Sequence, residues 1–219
     1  MFKEGMGALV ASGFWETIYV TFISSFLAYV IGLPLGMILV VGDRDGICPM
    51  PTLQKILGVI INVLRSVPFL ILLVTIMPFT KFVVGTVIGA KATIVGLLVA
   101  SAPFVARMVE SSLREVEKGV IEAAQSMGAS PLQIMVKVMI PEAMPALLVG
   151  SAIAMTTILG YSAMAGFVGG GGLGAIAINY GYYRSQKNIM YVMVVLLVLI
   201  VQVMQEVGMR VSKRSDKRL

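Results

Sequence analysis

Glu122, Ala123 and Ala124, with Met127, Gly128, Ala129, Ser130 and Pro131 close behind, are the residues whose types and spacing point most directly to chemistry. That chemistry is recognition. A lone carboxylate can accept charge-assisted hydrogen bonds from a partner, and the two alanines leave so little bulk that a partner's backbone can come close. Covalent catalysis has little to work with, because histidine is absent, Cys48 is the single cysteine, and Glu142 and Glu206 fall near the ends of apolar blocks. The commonest general base and the commonest metal ligand are both missing, so neither a catalytic residue nor a metal site is expected. One cysteine also excludes an internal disulfide.

Three further groups are candidates. Arg65, in Arg65-Ser66-Val67-Pro68, is read as the charge well inside an apolar block. Such a charge either faces a cavity or bundle interior or snorkels to the interface. Tyr161, Ser162 and Met164 stand among small residues in Gly160–Gly166, as a gate on a translocation path requires. The other methionines, of 16 in all, are read mainly as adaptable packing. The run containing Gly170, Gly171, Gly172 and Gly174 is not a phosphate loop, since no Gly-Lys pair occurs anywhere in the chain. It is expected to form an outer turn of unusual backbone angles that approaches a partner. A proton- or sodium-coupled carrier would need buried ion ligands near the midplane, and none is evident. Energy for any transport must therefore enter from outside the chain, and the segment around Glu122 is the place to receive it.

The elements that position these residues follow from composition. Of 219 residues 58% are hydrophobic and 13% charged, with a mean hydropathy of +0.95, far from the ~45–50% apolar and ~25% charged of soluble domains. The fold class is all-α: a single membrane-embedded domain, residues 1–219, with about five spans at 14–41, 56–79, 88–107, 142–167 and 188–209. No removable signal peptide is expected. Between spans three and four lies a polar elbow, 112–141. Its first helix should end at Met127 with Gly128 left-handed. Its second should begin with Ser130 as N-cap, Pro131 at the first position and Gln133 completing a capping box, and end before Pro141. Ser112-Leu113-Arg114-Glu115 carries a second capping signal. The net charge of +6 reflects topology rather than nucleic acid. Eleven Lys and Arg, Lys217 and Arg218 among them, fall on the tail side, against five, including Lys3, on the other. That asymmetry places the C-terminus and elbow in the cytoplasm and the N-terminus outside.

Glu122-Ala123-Ala124, Gly128 four residues on, and the closing Val138-Met139-Ile140-Pro141 resemble the EAA signature of the permease subunits of bacterial ABC importers. Arg65-Ser66-Val67-Pro68-Phe69, Ala102-Pro103-Phe104-Val105-Ala106-Arg107, the Gly-Tyr-Ser-Ala-Met segment and Gly-Gly-Gly-Leu-Gly are similar to the methionine-uptake branch. Ile140 stands where that family often has Leu. The resemblance implies a multi-pass protein of the bacterial inner membrane whose EAA loop seats in a cytoplasmic ATPase dimer. It also implies a second copy of the chain and an extracytoplasmic solute-binding protein as partners. ATP and Mg would sit on the ATPase, with no cofactor on this chain. Transport of another small solute is the alternative within the class, and a membrane scaffold the alternative outside it.

Overall fold

A computed structural model describes residues 5–215, with the side chain of Ser215 left aside. Lys3, Lys217 and Arg218, counted in the charge asymmetry, lie outside the described residues. Among those described there is no strand. The long helices are α1 (Met6–Val41), α5 (Ala90–Arg114), α8 (Ile140–Ala165) and α10 (Lys187–Ser215). Between them lie α2 (Pro51–Ser66), α3 (Phe69–Thr75), α4 (Met77–Val84), α6 (Lys118–Ser126), α7 (Pro131–Ile134) and α9 (Gly172–Ile176). Two π-helical stretches, Met135–Met139 and Ala177–Tyr182, and a 3₁₀ turn, Gly166–Val168, join these elements.

Four helical stretches are long and apolar enough to cross a membrane, and five if the broken pair α2 and α3 counts as one span. The second expected span, 56–79, is thus not one helix. Pro68, at φ −57° and ψ 135°, caps α3 in an extended conformation, since a proline pushes its predecessor out of the helical region and donates no N–H. Pro78 is tolerated in the first turn of α4, where an N–H would be unpaired anyway. α4 stops at left-handed Gly85. By contrast α1 continues through Pro34.

The chain divides into two compact units. One comprises the described parts of Met1–Leu27, Val67–Ser101 and Met155–Gln205. Its core gathers Leu159, Leu173, Ile176 and Met193 with Met6 and Ile200. The other comprises the described parts of Ala28–Ser66, Ala102–Ala154 and Glu206–Leu219, and packs Leu39, Ile61 and Ala106 with Leu35 and Leu57. In this second unit Gly32 meets α5 so closely that a Cβ would lie 2.7 Å from Val105 and 2.9 Å from the Ala102 carbonyl. Small residues at helix contacts are what packing within a lipid solvent favours, because burial from lipid brings no hydrophobic gain. For the same reason Trp15, Phe26, Phe82, Val195 and Val203 stand exposed without penalty: they suit hydrocarbon and its interface.

Candidate functional site

The elbow is built from both ends by backbone chemistry. α6 closes with a Schellman motif: Ala129 N–H donates to the Ala124 carbonyl (3.1 Å) and Gly128 N–H to Gln125 (2.9 Å). Gly128 is left-handed at φ +77°, as that motif requires of its C′ residue. At α7 the Gln133 N–H donates to Ser130 Oγ (3.4 Å) and the Ser130 N–H to Gln133 Oε1 (2.9 Å), completing the capping box with Pro131 at the first position. Two expectations fail. Ser112 is no N-cap: it lies inside α5 and its Oγ donates to the Met108 carbonyl (3.0 Å), a back-bond open to any helical serine. α6 instead starts after Glu117, which makes no side-chain cap. Nor does Pro141 end the second helix. The chain runs from α7 through π-helical Met135–Met139 into α8, with the Ile140 N–H on the Met135 carbonyl. The wider π turn shifts the bonding register just ahead of the proline, whose missing N–H then falls in the first turn of α8.

Ala124 is 4% exposed and anchors α6, while Met127 is 81% and Leu132 73% exposed. Glu122, Ala123, Gly128, Ser130 and Pro131 are exposed as well, and Ala129 is half-buried. Ile134, Met135 and Met139 are buried. Two large apolar side chains thus project from a rigid polar turn. Behind it a cleft of about 560 Å³ is lined by Glu122, Gln125 and Lys118 of the elbow and by Asp43, Asp45 and Arg114. Hydrogen bonds from the Arg114 guanidinium, then from the Arg44 backbone N–H, hold the Asp43 carboxyl below its ordinary pKa.

At the glycine-rich turn, Gly169 and Gly172 are left-handed (φ +84° and +79°). Side chains of α1 cap the following helix: Glu16 Oε2 accepts from Gly172 N–H and Thr17 Oγ1 from Leu173 N–H, both at 2.8 Å. A side chain at Gly174 would run into the Ala163 backbone, and at Gly170 or Gly171 into the Ala165 backbone or the Glu16 carboxylate. The turn is a packed, capped corner. Tyr161 stacks on Phe69 with ring centroids 4.5 Å apart and planes 6° from parallel. Ser162 is buried, and Met164 is 41% exposed. Arg65, exposed in the last turn of α2, belongs to the other unit.

Sequence reasoning passed over two carboxylates. Glu16 lies inside the first apolar block, and its isolation there was the signal. Glu110 is 6% exposed and lies between Arg107 Nη1 (2.5 Å) and Arg114 Nη2 (3.1 Å). Arg107 Nη2 also donates to the Gly58 carbonyl (3.2 Å) and Asn62 Oδ1 (2.8 Å), and Arg114 Nη2 to Asp43 Oδ2 (2.7 Å). The spacing Arg107, Glu110, Arg114 at i, i+3 and i+7 on one helix face was the signal for this network. Glu110 is the buried member, and Arg107 and Arg114 are partly exposed, so removing the arginines would strand a desolvated carboxylate.

Residues 32–219 match the family described as binding-protein-dependent transport system inner membrane component. A relative from Vibrio cholerae serotype O1, the probable D-methionine transport system permease protein MetI, is 48% identical over 210 residues, covering 96% of this chain and 93% of the relative. The Escherichia coli K12 D-methionine transport system permease protein MetI is 48% identical over 164 residues, 75% of this chain and 76% of that protein. Among solved structures, an inward-facing MetNI methionine ABC transporter superposes with a TM-score of 0.97 at 45% identity, covering 99% of this chain and 100% of that one. With these spans, this elbow and this match over most of its length, the chain belongs to the inner-membrane components of binding-protein-dependent transport systems.

Proposed function

We infer that this chain is the permease subunit of an ATP-driven importer that carries methionine and close analogues into the cytoplasm. Two copies enclose the path, a separate ATPase dimer holds ATP and Mg, and a solute-binding protein delivers substrate at the glycine-rich turn. The C-terminus and elbow are cytoplasmic and the N-terminus is outside, following the positive-inside asymmetry. Glu122, Ala123, Ala124, Met127, Gly128, Ala129, Ser130 and Pro131 form the surface on which the ATPase seats. Met127 and Leu132 enter apolar pockets of the ATPase, and Glu122 accepts from its donors. Closure of the ATPases on ATP draws the two elbows together and turns the path outward, and hydrolysis resets it. Tyr161, Ser162 and Met164 line the path from their own unit, and Arg65 is a separate candidate on α2. No step of the chemistry falls on this chain.

The observation that carries the reading is the elbow: a turn capped at both ends that exposes Met127 and Leu132 by 81% and 73% between membrane spans. The methionine assignment follows the relatives' names, over chains matched at 48% identity. Reconstitution of the chain in proteoliposomes with its ATPase and solute-binding protein tests both parts. ATP-dependent accumulation of labelled methionine, lost on Met127→Asp with Leu132→Asp while the chain still inserts, is expected. No accumulation with ATP overturns the importer reading. In a competition panel, another amino acid displacing methionine at lower concentration overturns the substrate.

A further inference from the structure

We propose that Glu110 is a positioning residue whose ion-pair chain makes the cytoplasmic end of α5, the start of the chain between α1 and α2, and α2 itself move as one lever with the coupling elbow. The proposal rests on the importer reading above.

The chain of contacts is continuous. Asn62 and the Gly58 carbonyl on α2 hold Arg107; Arg107 and Arg114 both hold Glu110; Arg114 holds Asp43 in the segment after α1. Arg114 is the last residue of α5, and α6 begins at Lys118. Only a three-residue turn separates them; its middle residue Val116 is buried, as is Leu113 in the last turn of α5. Any displacement of α6 by a partner therefore reaches α5 within one turn of Glu110.

What α5 does with that displacement depends on the ion pairs. Helices in a lipid solvent have no hydrophobic term pressing them together, so directional contacts decide whether neighbours move together or slide. Glu110 supplies such contacts from a buried position, and a carboxylate shared by two guanidiniums has few alternative geometries. The Arg107 Nε is buried without a partner. That guanidinium has been placed for its outer nitrogens, which serve Glu110, Asn62 and Gly58, at the expense of its inner one. Without Glu110 the two arginines repel, the α2 and Asp43 ends of the chain become independent, and elbow motion is dissipated locally.

The test compares uptake per ATP hydrolysed in proteoliposomes holding the full complex, for wild type, Glu110→Gln, Asp43→Asn, the pair together, and the conservative Glu110→Asp and Asp43→Glu. Coupling energies between sites correspond to roughly 5–150-fold. We expect Glu110→Gln to lower uptake per ATP about tenfold with ATPase turnover retained, Asp43→Asn to lower it less, and both conservative variants to restore most of it. The double variant should be no worse than Glu110→Gln alone, because members of one chain fail together. A ratio unchanged in both neutral variants overturns the lever. So does a parallel fall of uptake and ATPase, which marks a structural brace only. If Glu110→Gln fails to assemble, Asp43→Asn, at a half-buried pair, decides by the same ratio. A wild-type complex that does not couple uptake to ATP overturns the importer reading itself, whereas a coupled wild type with equally coupled variants overturns the lever alone.

Discussion

Replacing Gly128 with valine isolates what the left-handed turn contributes. Gly128 sits at φ +77° and a Cβ built there meets nothing within 4 Å. Within the chain a Cβ is therefore not crowded, and the intrachain cost is backbone. An L-residue in that region pays about 1–2 kcal/mol, and a β-branched one sits at the upper end. If the Schellman turn relaxes to escape this strain, Ala129 and Gly128 lose their bonds to Ala124 and Gln125, and Met127 is presented at a different angle. A shift of that size moves an equilibrium by about 5–30-fold. Gly128→Val should therefore lower ATP-dependent uptake by about that factor while membrane insertion is unchanged. Gly128→Ala should fall between, and Gly128→Asn should stay near wild type, since asparagine tolerates this region. The assay is initial uptake in proteoliposomes with the partner subunits, paired with a thermal melt of the purified chain. Wild-type uptake in Gly128→Val would refute the reasoning, and so would equal losses in the asparagine and valine variants.

Thr17→Val removes the acceptor for the buried Leu173 N–H, which costs about 1–3 kcal/mol; a lowered melting temperature of the purified chain, shared by Glu16→Ala, is the expected result. Bulk at the proposed gate should obstruct passage. Met164→Trp, at a 41% exposed position, is expected to fold and assemble with the ATPase yet block uptake, and unaltered transport would remove Met164 from the path. Tyr161→Ala breaks the stacked pair with Phe69, about 0.5–1.5 kcal/mol beyond burial, and should lower the melting temperature more than Tyr161→Phe. The Asp43 carboxyl has a folded pKa below its unfolded value near ~3.9. Its contribution to stability is present above that value and is lost as pH falls through the folded pKa. Melting temperatures measured from neutral to acid pH should show a loss below about pH 4 that Asp43→Asn lacks.

Much of the elbow was legible because its signals are local. A glycine at C′ and a Ser-Pro-x-Gln box act through bonds spanning three to five residues, and both motifs formed at Gly128 and at Ser130–Gln133. Local signals also misled. Ser112 has the letters of a cap but sits in a helix that the apolar face of Leu113 extends past it, and Pro141 has the letters of a stop but is absorbed by the π turn before it. The glycine-rich run was read as a bend, and its φ angles at Gly169 and Gly172 agree. Its capping by Glu16 and Thr17 joins residues 156 apart in the chain, which no window could reveal.

Composition and local backbone rules were thus enough to specify an all-helical chain of membrane spans and the caps of the elbow at Gly128 and Ser130, but not the break at Pro68 inside the expected span 56–79. Hydropathy is additive along a span and a cap closes within one turn, so neither depends on the rest of the fold. Only the tertiary structure decided which charges are tied together. Arg107 and Arg114, both part of the basic count used for topology, are committed to Glu110, Arg114 also to Asp43 and Arg107 also to Asn62 and the Gly58 carbonyl. An ion pair requires side chains within about 4 Å, and where helices distant in sequence bring them together is a property of packing.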